Sequence, residues 1–89
     1  MNRFLALEKI IELGSFTKAA QALGYTQSSI SQMMQSLETE YGIQILNRSK
    51  NGVSLTLEGQ QLYPIIEQTI RSFNSVQEKA TEIKGLDTG

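Results

Sequence analysis

The sequence predicts a mainly α fold: three short helices, a small two-stranded hairpin and then one long helix. Three observations carry that expectation. Residues 15–41 space their small and apolar side chains so that two short helices pack across one tight turn. Asn51-Gly52 is a strong hairpin turn beside a short stretch that alternates apolar and polar residues. Residues 62–83 repeat apolar positions alternately four and three apart, the pattern of a helix that pairs with another helix.

Composition limits what such a fold can do. The 89 residues suit one compact domain, and a core of that size is only modestly stabilising by itself. With no Cys and no His, the chain has no disulfide, thiolate or imidazole, which removes most metal, nucleophile–base and redox chemistry. An enzyme is not expected, and neither is a cofactor or metal. The apolar runs are short and Met1-Asn2-Arg3-Phe4 leads into an amphipathic pattern, so neither a membrane span nor a signal peptide is expected. A cytoplasmic location follows from that reading.

The net charge is -1, whereas a phosphate-binding protein is expected to be basic. Distribution reduces the conflict. Residues 1–56 hold five cations (Arg3, Lys9, Lys18, Arg48, Lys50) against four acids (Glu8, Glu12, Glu38, Glu40), a net +1. Residues 57–89 hold three cations (Arg71, Lys79, Lys84) against five acids (Glu58, Glu67, Glu78, Glu82, Asp87), a net -2.

The first helix is expected over about residues 3–13. Asn2 is a competent N-cap, Phe4, Leu7, Ile10, Ile11 and the nearby Leu13 recur at helical spacing, and Gly14 follows as a C-cap glycine would. Its Glu8, Lys9 and Glu12 are expected in solvent. Ser15 and Thr17 are both competent caps for a second helix over residues 18–23, whose Ala19-Ala20 centre permits a close helix crossing. Gly24 ends it at a position where a positive φ is cheap for glycine.

Thr26 caps a third helix that carries no Gly or Pro until Gly42. On a wheel of about 100° per residue, Ile30, Met34, Leu37 and Tyr41 form an inward stripe with Met33 at its border. Ser28, Ser31, Gln32 and Gln35 occupy the opposite arc, and Gln27 projects from the first turn. Gln pairs bidentately with an adenine edge and Ser bonds base edges or phosphates, so this face suits a major groove. An ordinary solvated helix can show the same residues. The spacing of Ala20, Gly24, Ile30 and Met33 favours a helix-turn-helix.

Gly42 closes the third helix, and Ile43, Ile45 and Leu46 return the chain to the core. The hairpin after them reads as a wing, with Arg48, Lys50 and Asn51 on its arm and tip as donors for a phosphate or a minor groove. A charged edge hairpin that resists aggregation is the plainer alternative, and Arg48 paired with Glu38 or Glu40 would be structural.

Thr56 caps the long helix, with Glu58 in its first turn. Leu62, Ile66, Thr69, Phe73, Val76, Ala80 and Ile83 form a heptad seam, too long at about 40 Å of helix for the small head to cover. The seam is therefore expected to pair with a second copy, while Ile65 and Ile70 lie off it and pack on one head or the other. Pro64 lies inside the helix, where it removes one backbone hydrogen bond. The expected units are residues 1–56 as the winged head, 57–84 as the linker helix and 85–89 as a helix stop and loose end.

Phe16-Thr17-Lys18-Ala19-Ala20, Leu23-Gly24-Tyr25-Thr26-Gln27-Ser28, Ile30-Ser31, Leu37-Glu38, Gly42, Leu46, Arg48 and Leu55-Thr56-Leu57-Glu58-Gly59 together resemble the N-terminal DNA-binding region of LysR-type transcriptional regulators. The resemblance covers nearly the whole chain. It implies a winged helix-turn-helix with its third helix in the major groove, its wing at the flanking minor groove, and a linker helix that dimerises as an antiparallel coiled coil. Such a dimer reads a dyad-symmetric double-stranded operator. By position, Gln27, Ser28, Ser31 and Gln32 become the base readers, and Thr17, Thr26, Gln35, Arg48, Lys50 and Asn51 the backbone contacts.

The chain departs from the family pattern at Ser28, where Pro is common, at Gln32 and Gln35, where Arg is frequent, and at Asn51, which replaces a common wing Arg. Fewer cations imply a shallower salt dependence. Family members also continue into an effector-binding domain that the 89 residues do not include, so no inducer pocket is expected and a tetramer only in a protein carrying that domain. Two alternatives remain open here: a protein-interaction module built on the coiled coil, and another winged-helix family such as the MarR-like or ModE-like regulators. The seam directly after the wing favours the LysR type.

Overall fold

The computed structural model describes residues 1–88, with side chains to residue 85. Four helices and one two-stranded sheet follow in the order α1 (Asn2–Leu13), α2 (Phe16–Leu23), α3 (Gln27–Tyr41), β1 (Leu46–Ser49), β2 (Gly52–Leu55) and α4 (Leu57–Thr88). The mainly helical winged architecture is as expected.

Local chemistry sets most boundaries. Each of the first three helices ends at a glycine in the left-handed region, Gly14, Gly24 and Gly42, with φ of 68°, 76° and 68°, where a side chain would be strained. Asn2 proves to be the first helical residue and not the cap, since Met1 takes the cap position without a side-chain bond. The second helix starts two residues earlier than expected. Ser15 wins over Thr17 because its extended backbone lets its hydroxyl accept from the Lys18 N–H at 3.1 Å.

Ala6, Leu7 and Ile10 of α1, Phe16, Ala19 and Ala20 of α2, and Ile30, Met34 and Leu37 of α3 build the core, closed by Ile45 and Leu46. Met33 packs at its border, as expected. Tyr41 does not join its stripe; it is exposed at the last turn of α3, and the chain re-enters the core through Ile43 and Ile45 instead. Glu8 and Lys9 are half-buried where solvent exposure was expected, because α4 lies along α1.

Thr56 joins the wing to α4. Its hydroxyl donates to the Gln44 carbonyl and accepts from the Gly59 N–H at 2.9 Å, which caps the helix. Gly59 must stay bare: a Cβ there would stand 2.3 Å from the Ile45 carbonyl oxygen. That close approach seats the start of α4 on the head, and Ile66 and Ile70 then drop into the core.

Two expectations about α4 need correction. The helix runs on through Gly85 to Thr88; one glycine in an exposed helix costs only about 1 kcal/mol relative to Ala, too little to stop it. Gly89 lies outside the described residues. Ile66, expected on the outer seam, is 2% exposed in the core of its own chain, whereas its neighbour Ile65 is 60% exposed. The exposed stripe therefore passes through Ile65, Thr69, Phe73, Val76, Ala80 and Ile83, roughly a quarter turn from the face that meets the head, at about 100° per residue, while Leu62 at its near end is partly buried against the core. No described helix is long and apolar enough to cross a membrane.

Candidate nucleic-acid interface

The interface is built from the two turns that flank α2 and from the wing. Gly24 reverses the chain, the Tyr25 N–H donates to the Ala20 carbonyl at 2.9 Å, and the Thr26 hydroxyl accepts from the Ser29 N–H at 3.0 Å to start α3. Ala19 and Ala20, both buried, let α2 cross close to its neighbours. With Ile30, Met34 and Leu37 turned inward, α3 leaves Gln27, Ser28, Gln32 and Gln35 exposed and Ser31 half-buried. No charged side chain stands on that arc.

The wing is fastened to α3 by Glu38. Its carboxylate accepts from the Ile45 N–H at 2.6 Å and from the Leu46 N–H at 3.1 Å, charge-assisted bonds that fix where β1 begins. The antiparallel register pairs Leu46 with Leu55 and Arg48 with Val53. Lys50 and Asn51 therefore form the tip, and the positive φ falls on Gly52, at 122°, while no other described residue of the turn adopts one. Asn51-Gly52 is thus the second half of the turn and its exit, displaced by one residue from the expected centre.

Strand geometry decides the direction of Arg48. Residues two apart share a face, so Arg48 lies on the side of Leu46, toward the head. Its guanidinium carbon stands 3.8 Å from the centroid of the Phe16 ring. The pairing with Glu38 or Glu40 considered from sequence does not form: Glu38 serves the wing backbone, and Glu40 pairs with Arg3 at 2.5 Å. The hydrogen bond and charge of Arg3 hold the Glu40 carboxyl below the usual carboxylate range, and Arg3 also donates to the Ser36 hydroxyl at 3.0 Å.

Two hollows on one side of the molecule share Phe16 and Arg48. One is lined by Ser31, Gln35 and Glu38 of α3 with Leu46 of β1; the other by Thr17 of α2, Gln27 of α3, and Ser49 and Lys50 of the wing. The fold thus places Thr17, Gln27, Ser31, Gln35, Arg48 and Lys50 around two hollows between the helices and the wing, with Phe16 and Arg48 common to both. Ser28 is exposed on α3 but lines neither hollow, and Gln32 lines a separate open groove with Gln35, Ser36, Thr39 and Glu40. Thr26 is committed to its cap, its hydroxyl also donating to the Ser29 hydroxyl at 2.9 Å, and Asn51 lies at the wing tip outside both linings. Sequence reasoning overlooked Phe16 and Ser49. The period of two from Leu46 to Arg48 was the available signal for Phe16, since it turns the arginine toward the head.

Comparison with known proteins places this geometry. Residues 1–60 match the family described as bacterial regulatory helix-turn-helix protein, lysR family. The chain is 38% identical over 82 residues to the uncharacterized HTH-type transcriptional regulator YvbU of Bacillus subtilis, covering 91% of this chain and 28% of that protein. It is 35% identical over 83 residues to the HTH-type transcriptional activator TtdR of Escherichia coli, covering 93% and 27%. The chain therefore spans just over a quarter of the length of these relatives, which are named as regulators and not as enzymes. Among solved structures, the BenM DNA-binding domain in complex with benA site 1 DNA superposes with a TM-score of 0.84 at 30% identity, covering 92% of this chain and 95% of that one. The CbnR DNA-binding domain in its DNA complex shares the fold, with a TM-score of 0.83 over 92% and 94% of the two chains at 23% identity. Capped helices, wing and family match agree: this chain belongs to the LysR family of bacterial regulatory helix-turn-helix proteins and forms their DNA-binding domain.

Proposed function

We propose that the chain binds double-stranded DNA sequence-specifically as a homodimer, with α3 in the major groove and the wing at the flanking minor groove. The observation that carries this reading is the pair of hollows, sharing Phe16 and Arg48, that sets Ser31 and Gln35 of α3 in one and Gln27, Thr17 and Lys50 in the other. A major groove about 12 Å wide admits one helix, and the uncharged arc of α3 allows close approach without a charge to desolvate. Gln27, Ser28, Ser31 and Gln32 read base edges; Thr17, Gln35, Arg48 and Lys50 hold the phosphates, with Thr26 and Asn51 at the margins of that contact. The BenM and CbnR domains, solved on DNA, support the assignment.

Residues 1–56 act as the reading head and 57–84 as the linker that brings two heads to a dyad-symmetric operator through an antiparallel helix pair. Its seam runs through Leu62, Ile65, Thr69, Phe73, Val76, Ala80 and Ile83. A regulator of this kind works where the chromosome is, in the cytoplasm, and tetramers belong to proteins that carry the effector-binding domain. Selection of bound sites from random DNA tests the reading and defines the half-sites. On the selected operator, Gln27→Ala or Ser31→Ala lowers affinity by about 1–3 kcal/mol and relaxes preference at one base position. Unchanged affinity together with unchanged preference would remove the recognition role of α3.

A further inference from the structure

The two arginines of the head differ in how their donors are used. Arg3 gives its N–H groups to Ser36 and Glu40. Arg48 is exposed, and among the described residues no acceptor takes a hydrogen bond from it; its one partner is the face of Phe16 at 3.8 Å. An aromatic ring attracts a guanidinium through its quadrupole without consuming any of the five N–H donors. Such a cation is held in place yet keeps its hydrogen-bonding capacity for a ligand.

The platform is rigid for a reason visible in the fold. Phe16 is the first residue of α2, set there by the Ser15 cap, and is buried among the core side chains. Its ring lines both hollows of the groove, as does Arg48, beside Thr17, Gln27 and Ser31. With Gln32 and Gln35 contributing no charge, each wing cation carries a larger share of phosphate neutralisation, and a wandering arginine would lose more entropy on binding.

We propose that Phe16 is a positioning residue for DNA binding: its ring holds the Arg48 guanidinium at the junction of α3 and the wing, where it contacts a backbone phosphate. This rests on the DNA-binding reading above. The ring never touches the DNA; it sets where the charge waits. A buried phenylalanine kept only for the core would serve as well as a leucine of similar reach, whereas a platform needs the ring.

The test is fluorescence anisotropy of the 89-residue chain on its selected operator across a series of salt concentrations. It compares the wild type with Arg48→Ala, Phe16→Leu, Phe16→Tyr and pentafluorophenylalanine at position 16. Loss of one phosphate contact lowers the log–log salt slope by about 0.9. Arg48→Ala and Phe16→Leu are each expected to lower the slope toward that extent, Arg48→Ala combined with Phe16→Leu no further than either alone, and Phe16→Tyr to retain it. Should Phe16→Leu fail to fold by circular dichroism, the pentafluoro ring decides, since it keeps the shape but reverses the quadrupole. A wild-type slope in the pentafluoro variant, or in a folded Phe16→Leu, overturns the platform. So does an unchanged slope in Arg48→Ala, or a Phe16 variant that alters sequence preference instead of slope, which would make Arg48 a base reader; each of these outcomes leaves DNA binding itself intact. No salt-dependent binding by the wild type overturns both readings.

Discussion

The two ends of α4 are one continuous helix in two different environments. Toward the head, Ile66 and Ile70 are almost fully buried, Gly59 touches the Ile45 carbonyl, and Tyr63 is half-covered. Beyond residue 70 every described side chain is exposed, including Phe73 at 40%, Val76 at 69% and Ile83 at 52%. The near end is held by tertiary packing. The far end has only helix propensity and weak surface pairs such as Lys79–Glu82, which is marginal for an isolated helix in water. What the difference teaches is that the head stabilises only the near end of the linker, and that the far end depends on the helix pairing proposed above.

Matched truncations break that comparison most directly. Ile66→Ala is expected to cost about 2–5 kcal/mol in urea denaturation, the range for emptying a core position, whereas Ile83→Ala leaves the unfolding of the head unchanged. Equal effects would mean that the two ends share one environment. Gly59→Ala comes next, at about 1–3 kcal/mol, because a new Cβ meets backbone that cannot rotate away; an unchanged melting curve would show that α4 is not seated by that contact.

Dimerisation sharpens the far end. Phe73→Asp with Val76→Asp is expected to give a monomer by light scattering and to weaken binding to two half-sites, with the head still folded. A persistent dimer would place the interface elsewhere.

The smallest effect lies in alkali. Burial first, then the nearby Glu67, Glu8 and Glu12 carboxylates, push the Tyr63 phenol up to about 12. A raised pKa means that the neutral phenol stabilises the folded state fully below about pH 10, its ordinary range, and that this contribution is lost as pH rises toward 12. Tyr63→Phe should therefore flatten the alkaline fall in stability and remove a late tyrosinate absorbance step. A wild-type alkaline profile in Tyr63→Phe would show that α4 does not bury the phenol against the head.

The head was largely legible because its signals are local. Gly14, Gly24 and Gly42, the caps Ser15, Thr26 and Thr56, and the inward Ile30, Met34 and Leu37 all act within a turn or two of chain. The placement of the candidate face was legible in part: Gln27, Ser31, Gln35, Thr17, Arg48 and Lys50 were expected on it, and they line two hollows that share Phe16 and Arg48. Phe16 escaped notice, since a residue at the start of α2 and one on β1 are neighbours only after the wing folds back. The fate of Glu38 was hidden for the same reason. Its carboxylate looked available to Arg48, yet two backbone N–H groups from the wing reach it first.

Sequence by itself determined the succession of helices, turn, wing and long helix, because caps, left-handed glycines and apolar periodicity are read along the chain. Only the tertiary structure decided which side of α4 belongs to the head. Ile65 and Ile66 are adjacent and equally apolar, but they point about 100° apart, and both fit an apolar stripe of similar period. The bare Gly59 against Ile45 seats the start of the helix on the head, with Ile66 turned inward and Ile65 left exposed.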